Sequence, residues 1–95
     1  MRPLMTQISV HLGDDVDAGE ALRFCLAIVS DARFVGAKEI RLARSRVDVW
    51  SEPDDGPGEL HVAIPEMSKQ GMAALGSLLF HLTQRYARTG WTLDD

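Results

Sequence analysis

Residues 39–64 read EIRLARSRVDVWSEPDDGPGELHVAI, and their alternating side chains predict a three-stranded antiparallel meander. A two-residue turn at Arg44-Ser45 would close the first hairpin, and the Pro-, Gly- and Asp-rich residues 52–57 would form the loop of the second. This folding sets apolar side chains in facing pairs on one face: Leu42 with Val47, Ile40 with Val49, Val49 with Leu60, and Val47 with Val62. Because that face is apolar, other elements of the chain must cover it.

The opposite face of the meander is polar. In the same register Arg41 lies across from Asp48, and Trp50 lies across from Glu59. Opposite charges directly across strands stabilise a sheet by roughly 0.2–1 kcal/mol per pair. Arg44-Ser45 lacks the Asn or Gly that tight hairpins prefer, so one long strand with a bulge is the alternative to a hairpin there.

The flanking sequence predicts one more strand and two helices. Residues 6–12 alternate and predict a first strand. Asp17 is the expected N-cap of a helix that runs to about Phe34, and Ser68 that of a second helix running to about Thr89. The fold class is therefore α+β in the order βαβββα, a four-stranded antiparallel sheet with two helices packed on one face.

The whole chain, residues 1–95, is expected to form a single domain. Residues 1–5 form a possible leader before the first strand, and residues 91–95 form a C-terminal tail with enough apolar mass to pack back. A content of 45% hydrophobic and 25% charged residues is that of a folded chain rather than a disordered one.

Charge, cysteine content and hydropathy narrow the classes of function. The net charge of −4 makes nucleic acid an unlikely partner. The single cysteine, Cys25, excludes an internal disulfide and suits the cytoplasm. No apolar run approaches the 18 or more residues of a membrane span, so no membrane contact is expected.

Motifs for catalysis or cofactor binding are lacking. The sequence has no G-x-S-x-G, P-loop, H-E-x-x-H or C-x-x-C pattern, and Cys25 falls on the buried stripe of the first helix. His11, His61 and Asp48 would share the polar sheet face, so a metal site is geometrically conceivable, but solvated surface histidines are the simpler interpretation. We expect neither a catalytic site, a metal nor a cofactor.

One candidate partner surface is the polar sheet face. Its residues are basic or aromatic: Arg41, Arg44, Arg46, Trp50 and His61. Arginine beside an exposed aromatic ring is a common arrangement in proteins that bind single-stranded RNA. Acidic residues are interleaved with the arginines, which favours charge pairing across the strands instead.

A second candidate surface lies on the helices. Phe24 and Ile28 extend the apolar stripe of the first helix beyond what one sheet can cover, and Phe80 lies among small residues on a flank of the second. The tail, a second copy of the chain or a different protein partner could cover these three residues.

The expected function is that of a non-catalytic protein-interaction module that self-associates as a homodimer. It would be an accessory subunit or an inhibitor or antitoxin-like regulator. One alternative is a small enzyme or ligand-binding domain with a pocket at a dimer interface. The other is RNA or ribosome binding through the Arg/Trp sheet face.

Overall fold

The computed structural model describes residues 5–65 and 68–94. Along the chain the elements are β1 (Met5–His11), α1 (Ala18–Ile28), β2 (Ala32–Gly36), β3 (Glu39–Leu42), β4 (Val47–Trp50), β5 (Glu59–Pro65), α2 (Lys69–Arg85) and β6 (Gly90–Asp94). The strands of this part of the chain form a single antiparallel sheet in the order β2-β3-β4-β5-β1-β6.

Both helices pack on one face of the sheet. α1 contacts β2 and β3, and α2 contacts β4 and β5. The core between the layers consists of apolar side chains: Ile8, Val10, Leu12, Ala21, Leu22, Cys25, Ile40, Leu42, Val47, Val49, Leu60, Val62, Ile64, Leu75, Leu78 and Leu82. We call the other side of the sheet the open face. No helix of the described residues is long and apolar enough to cross a membrane.

The predicted α+β class, the antiparallel sheet and the two covering helices are confirmed, whereas the count of four strands and the order βαβββα are wrong. The predicted N-caps are also confirmed, because the side chains of Asp17 and Ser68 accept hydrogen bonds from the backbone N–H groups of Glu20 and Gly71. Of the possible leader, Met5 belongs to β1, and residues 1–4 lie outside the described residues.

The first additional strand arises because α1 ends six residues earlier than expected. Val29 caps the helix in an extended conformation, and its N–H donates to the carbonyl of Cys25. Asp31 then ties the connection to the next turn, since its backbone carbonyl accepts from Ala43 N (3.2 Å) and its carboxylate accepts from Arg44 N (2.7 Å). These bonds direct residues 32–36 along β3 as β2.

The second additional strand is the tail. Residues 90–94 pair with β1 from Gly90 opposite His11 to Asp94 opposite Gln7. The tail therefore extends the sheet at its edge instead of packing back over the helices.

The first hairpin has the predicted pairing and a longer turn. Leu42 lies across from Val47, and Ile40 across from Val49, so the alternative of one bulged strand is wrong. The turn spans residues 43–46 rather than Arg44-Ser45 alone, with Arg46 at a φ of 59° and its N–H bonded to the carbonyl of Leu42 (2.9 Å). A wider turn with one left-handed residue replaces the tight turn that lacked its Gly or Asn.

The second hairpin has the predicted face but a register shifted by two residues. Val49 lies opposite Val62, not Leu60, and Trp50 lies opposite His61, not Glu59. The connection is longer than predicted because Gly58 is anchored to the end of β1, where its carbonyl accepts from Leu12 N (2.7 Å). A two-residue shift preserves the side-chain alternation, so every core residue stays on the helix side.

Candidate functional site

The open face brings together three of the five residues predicted as a partner surface. Arg41, Trp50 and His61 lie on β3, β4 and β5 with their side chains away from the helices. Arg44 and Arg46 lie in the exposed turn beyond Leu42 and Val47, whereas Trp50 is at the opposite end of that hairpin. The predicted surface is thus divided between the open face and the turn.

Arg41 is paired within the protein. Its Nε donates to Asp48 Oδ1 at 2.7 Å, and this hydrogen bond and the charge of Asp48 raise the pKa of Arg41. The pair lies in an open concavity of about 570 Å³ on the sheet, lined by Met5, Gln7, Glu39, Arg41, Asp48, Trp50 and Ala63. A cation paired in this way is less available to an anionic partner.

His61 is the centre of a polar network on the open face. Its ring stacks on Trp50, with the ring centroids 5.6 Å apart and an angle of 27° between the planes. Its Nε2 lies 2.8 Å from Asp55 Oδ2, and the two side chains are only 12% and 14% exposed. Asp55 reaches the ring because residues 51–58 fold back over the end of β5.

Three further residues complete this arrangement, which we call the His61 network: Ser9, Glu52 and Asp94. Ser9 Oγ lies 3.5 Å from His61 Nδ1 and hydrogen-bonds both carboxylate oxygens of Asp94, at 3.0 and 2.9 Å. Glu52 Oε1 accepts from the Trp50 indole N–H at 3.2 Å. The network therefore joins β1, β4, β5, β6 and the loop between β4 and β5.

Asp55 is held as a carboxylate in this network. Burial acts to raise the pKa of Asp55. The hydrogen bonds from Glu52 N and His61, together with the charge interaction with His61, outweigh burial and lower the pKa. The negative charge beside His61 Nε2 is thus a stable feature of the site.

The conceivable trio of His11, His61 and Asp48 does not form a donor cluster. His11 Nδ1 lies 2.9 Å from Glu59, and Asp48 is taken by Arg41. Within residues 5–65 and 68–94, one group brings three donor atoms of metal-ligating side chains within 4.8 Å of one another: Glu52, Asp55 and His61.

Two of the three predicted self-association residues are engaged within the helical layer. Phe24 packs edge-on against Tyr86, with centroids 6.2 Å apart, and the Arg85 guanidinium lies 5.1 Å from the centre of its ring. Ile28 is half-buried and lines the groove between the C-terminal end of α1 and the first half of α2.

Phe80, the third predicted residue, is one of several large apolar side chains exposed on α2 and β6. Phe80 and Met72 on α2 are 53% and 58% exposed, and Trp91 and Leu93 on β6 are 56% and 58% exposed. Trp91 and Leu93 are on the helix side of the sheet, because they lie across from the core residues Val10 and Ile8. We call Met72, Phe80, Trp91 and Leu93 the edge patch.

The edge patch exists because two helices are too few to cover six strands. α1 lies over β2 and β3 and α2 over β4 and β5, so the flank of α2 that faces away from α1 is turned towards β1 and β6. By the 100° rotation per helical residue, Met72 lies on that flank, whereas Phe80 lies on the outer face of α2, opposite the buried Leu75, Leu78 and Leu82. The helix-side residues of β6 are left without a helix above them.

The two edges of the sheet differ in their capacity to pair with another strand. β2 carries a register irregularity between Phe34 and Gly36 and an exposed Arg33, both of which hinder pairing. β6 runs in regular register over its five residues and contains neither proline nor lysine. Its outer side is open in the part of the chain that the structure describes.

Cys25 has the environment of a structural residue. Burial against the core raises the pKa of its thiol to about 12, which keeps the sulfur protonated and poorly nucleophilic at neutral pH.

No family model matches the sequence, and comparisons with curated proteins and with solved structures find no significant similarity.

Proposed function

We propose that this protein is a homotypic interaction module in which two copies pair through the outer sides of their β6 strands. The observation that carries this proposal is the open and regular edge of β6, where Trp91 and Leu93 are each more than half exposed, together with the equally exposed Met72 and Phe80 of α2. Exposed apolar side chains beside an open strand edge are typical of an interaction site.

A second copy is the partner that the register of β6 favours. Consider two β6 strands that run antiparallel about a two-fold axis at Thr92. Trp91 of each copy then lies across from Leu93 of the other copy, and both pairs are on the helix side of the sheet. Thr92 faces its own copy on the open face, and cross-strand Thr pairs are mildly favourable, by roughly 0.2–1 kcal/mol. Such a pairing sets no two like charges directly opposite each other, since Asp94 falls across from Gly90.

The pairing would also use the helical layer. Met72 lies on the flank of α2 turned towards β6, so two copies of α2 would flank the joined strands and bury part of the remaining apolar area. A closed two-fold contact of this kind requires only one self-complementary patch. Strand-edge pairing supplies the backbone hydrogen bonds and the edge patch supplies the apolar area.

The role of such a module is regulatory or accessory rather than catalytic. Support comes from the unreactive environment of Cys25 and from the lack of a catalytic motif in the sequence. The free cysteine also supports a reducing compartment such as the cytoplasm. Nucleic-acid binding has less support, because Arg41 is paired with Asp48 and Arg44 and Arg46 lie apart from Trp50.

The test is the mass of the protein in solution. Sedimentation velocity and light scattering at micromolar concentration should give twice the mass of one chain. Leu93→Lys, which places a charge at the centre of the edge patch, should yield the monomer. Its circular dichroism spectrum should match that of the wild type, because Leu93 is 58% exposed in the single chain.

The control carries the same change at the other edge of the sheet. Val35 is 42% exposed on β2, so Val35→Lys adds the same charge to a similar exposed position. This variant should remain a dimer. The proposal is wrong if the wild-type protein is a monomer, or if Val35→Lys dissociates the dimer while Leu93→Lys does not.

A further inference from the structure

We infer that Glu52, Asp55 and His61 form a binding site for a divalent metal ion of the Zn²⁺ class. The site is independent of the proposed dimer contact, since its three residues lie on the open face and in the adjoining loop. It unites one imidazole nitrogen and two carboxylates, whose nearest donor atoms lie within 4.8 Å of one another.

The spacing of the donors suits a metal ion after small side-chain rotations. Zn²⁺ binds nitrogen and oxygen at about 2.0–2.2 Å, which separates neighbouring tetrahedral ligands by roughly 3.3–3.6 Å. His61 Nε2 and Asp55 Oδ2 are 2.8 Å apart, so they would open slightly. Glu52 is exposed, and rotation of its side chain away from the Trp50 indole N–H would bring its carboxylate towards them without moving the backbone.

The hydrogen bonds around His61 also favour a cation at its Nε2. Ser9 has a single hydroxyl proton, and that proton is directed to Asp94 at 2.9–3.0 Å. In the metal-free protein Nε2–H donates to the Asp55 carboxylate at 2.8 Å. A metal ion at Nε2 would take the place of that proton, and the neutral ring would then carry its proton on Nδ1, which lies 3.5 Å from the lone pairs of Ser9 Oγ.

The surroundings of His61 resemble the outer shell of known metal sites. A ligating histidine usually donates its second N–H to a carboxylate, a backbone carbonyl or water, which orients the ring. Here Ser9 Oγ, itself bonded to Asp94, lies beside Nδ1 at 3.5 Å, and Trp50 stacks on the ring and donates its indole N–H to Glu52. The ring is thus preorganised by three strands of the sheet.

The donor set determines the kind of metal. Ca²⁺ and Mg²⁺ prefer six or more oxygen ligands, whereas an imidazole with two carboxylates suits Zn²⁺ or Co²⁺. Three protein ligands leave a fourth position for water, as in open zinc sites. A bound ion would attach the loop that carries Glu52 and Asp55 to β5.

The test uses protein without a histidine tag, freed of metal with a chelator and titrated with ZnCl₂ by calorimetry. We expect one Zn²⁺ per chain and a higher melting temperature with bound metal. Ser9→Ala should weaken binding about 10-fold, the lower end of the usual 10- to 100-fold effect of losing an outer-shell partner, and His61→Ala should weaken it by more than that. Asp55→Asn should likewise weaken binding, and Asp54→Asn, at the exposed neighbouring position, should leave it unchanged.

Matched histidine and tryptophan variants distinguish this site from surface binding. His11→Ala and His81→Ala should bind Zn²⁺ as the wild type does. Co²⁺ should quench the fluorescence of Trp50, which stacks on His61, so quenching should persist in Trp91→Phe and disappear in Trp50→Phe. Equal Zn²⁺ affinity of the wild type and folded His61→Ala, loss of binding in His11→Ala, or no binding below millimolar concentration would each overturn the inference.

Discussion

Gly58 determines how the second hairpin is closed. Its φ of 70° lies in the left-handed region, and a Cβ at this position would overlap the backbone carbonyl oxygen of Gly13. The close approach of the two glycines brings the loop to the end of β1, where Leu12 N donates to the Gly58 carbonyl. This contact accounts for the two-residue shift in register between β4 and β5.

We predict that Gly58→Ala lowers the free energy of unfolding by about 2 kcal/mol or more. The new methyl group adds a left-handed penalty of roughly 1–2 kcal/mol to a clash with backbone that cannot rotate away. Gly56→Ala is the control, because a Cβ there meets nothing within 4 Å, and its effect should be below about 0.5 kcal/mol. Urea melts of the two variants provide the comparison, and equal midpoints would contradict it.

For single residues, side-chain alternation predicted the face of the sheet on which each residue lies. It did not predict contacts with the loop or with the tail. Alternation placed Trp50 and His61 on the open face, and it placed Arg41 across from Asp48, as the structure has them. It could not place Ser9, Asp55 or Asp94 beside His61. Those contacts depend on a loop that folds back and on a tail that pairs with β1, and side-chain periodicity does not encode either.

At the scale of elements, the boundaries of α1 and of the tail were wrong for the same physical reason. Apolar residues occur in both Ala18–Ile28 and Ala32–Gly36, and a five-residue segment is too short to separate the helical period from the strand period. Residues 32–36 form a strand because residues 43 and 44 donate hydrogen bonds to Asp31. These are tertiary contacts, which side-chain periodicity does not reveal. Trp91 and Leu93 do alternate with Thr92, but three residues are also too few for a strand prediction.

Two glycines of α2 should respond differently to alanine. Gly76 is exposed in the helix interior and a Cβ there meets nothing within 4 Å, so Gly76→Ala should stabilise the protein by about 0.5–1 kcal/mol through backbone entropy. At Gly71 a Cβ would lie 3.1 Å from Ser68 Oγ and 3.5 Å from Ile64 Cβ. Since Ser68 caps the helix, Gly71→Ala should give no such gain.

Thermal melts at one protein concentration compare these two variants. The reasoning fails if Gly71→Ala stabilises the protein as much as Gly76→Ala does, because the close packing of α2 on β5 would then have no energetic effect.

On the scale of the whole molecule, the main feature is that the sheet is wider than the layer of two helices that covers it. Six strands present one side to two helices, and the uncovered width falls at β6. The sequence predicted an excess of apolar surface and located it on Phe24, Ile28 and Phe80. The structure packs Phe24 against Tyr86, leaves Phe80 exposed on α2, and adds the exposed Trp91 and Leu93 on β6. Predicting that surface required knowing that the tail forms a strand.

The last prediction concerns how the melting temperature depends on protein concentration when folding is coupled to dimerisation. If the folded chain pairs through β6, its unfolding yields two chains from one dimer, so the melting temperature must rise with protein concentration. With an unfolding enthalpy of about 0.7 kcal/mol per residue, summed over both chains of the dimer, the melting temperature should rise by about 4 °C for each tenfold increase in protein concentration. The Leu93→Lys chain should melt at a temperature independent of concentration, and Val35→Lys should keep the wild-type slope. Calorimetric scans at protein concentrations between about 5 and 500 µM measure this slope. A wild-type melting temperature that does not change across that range would show that the edge patch stays uncovered in the dissolved protein.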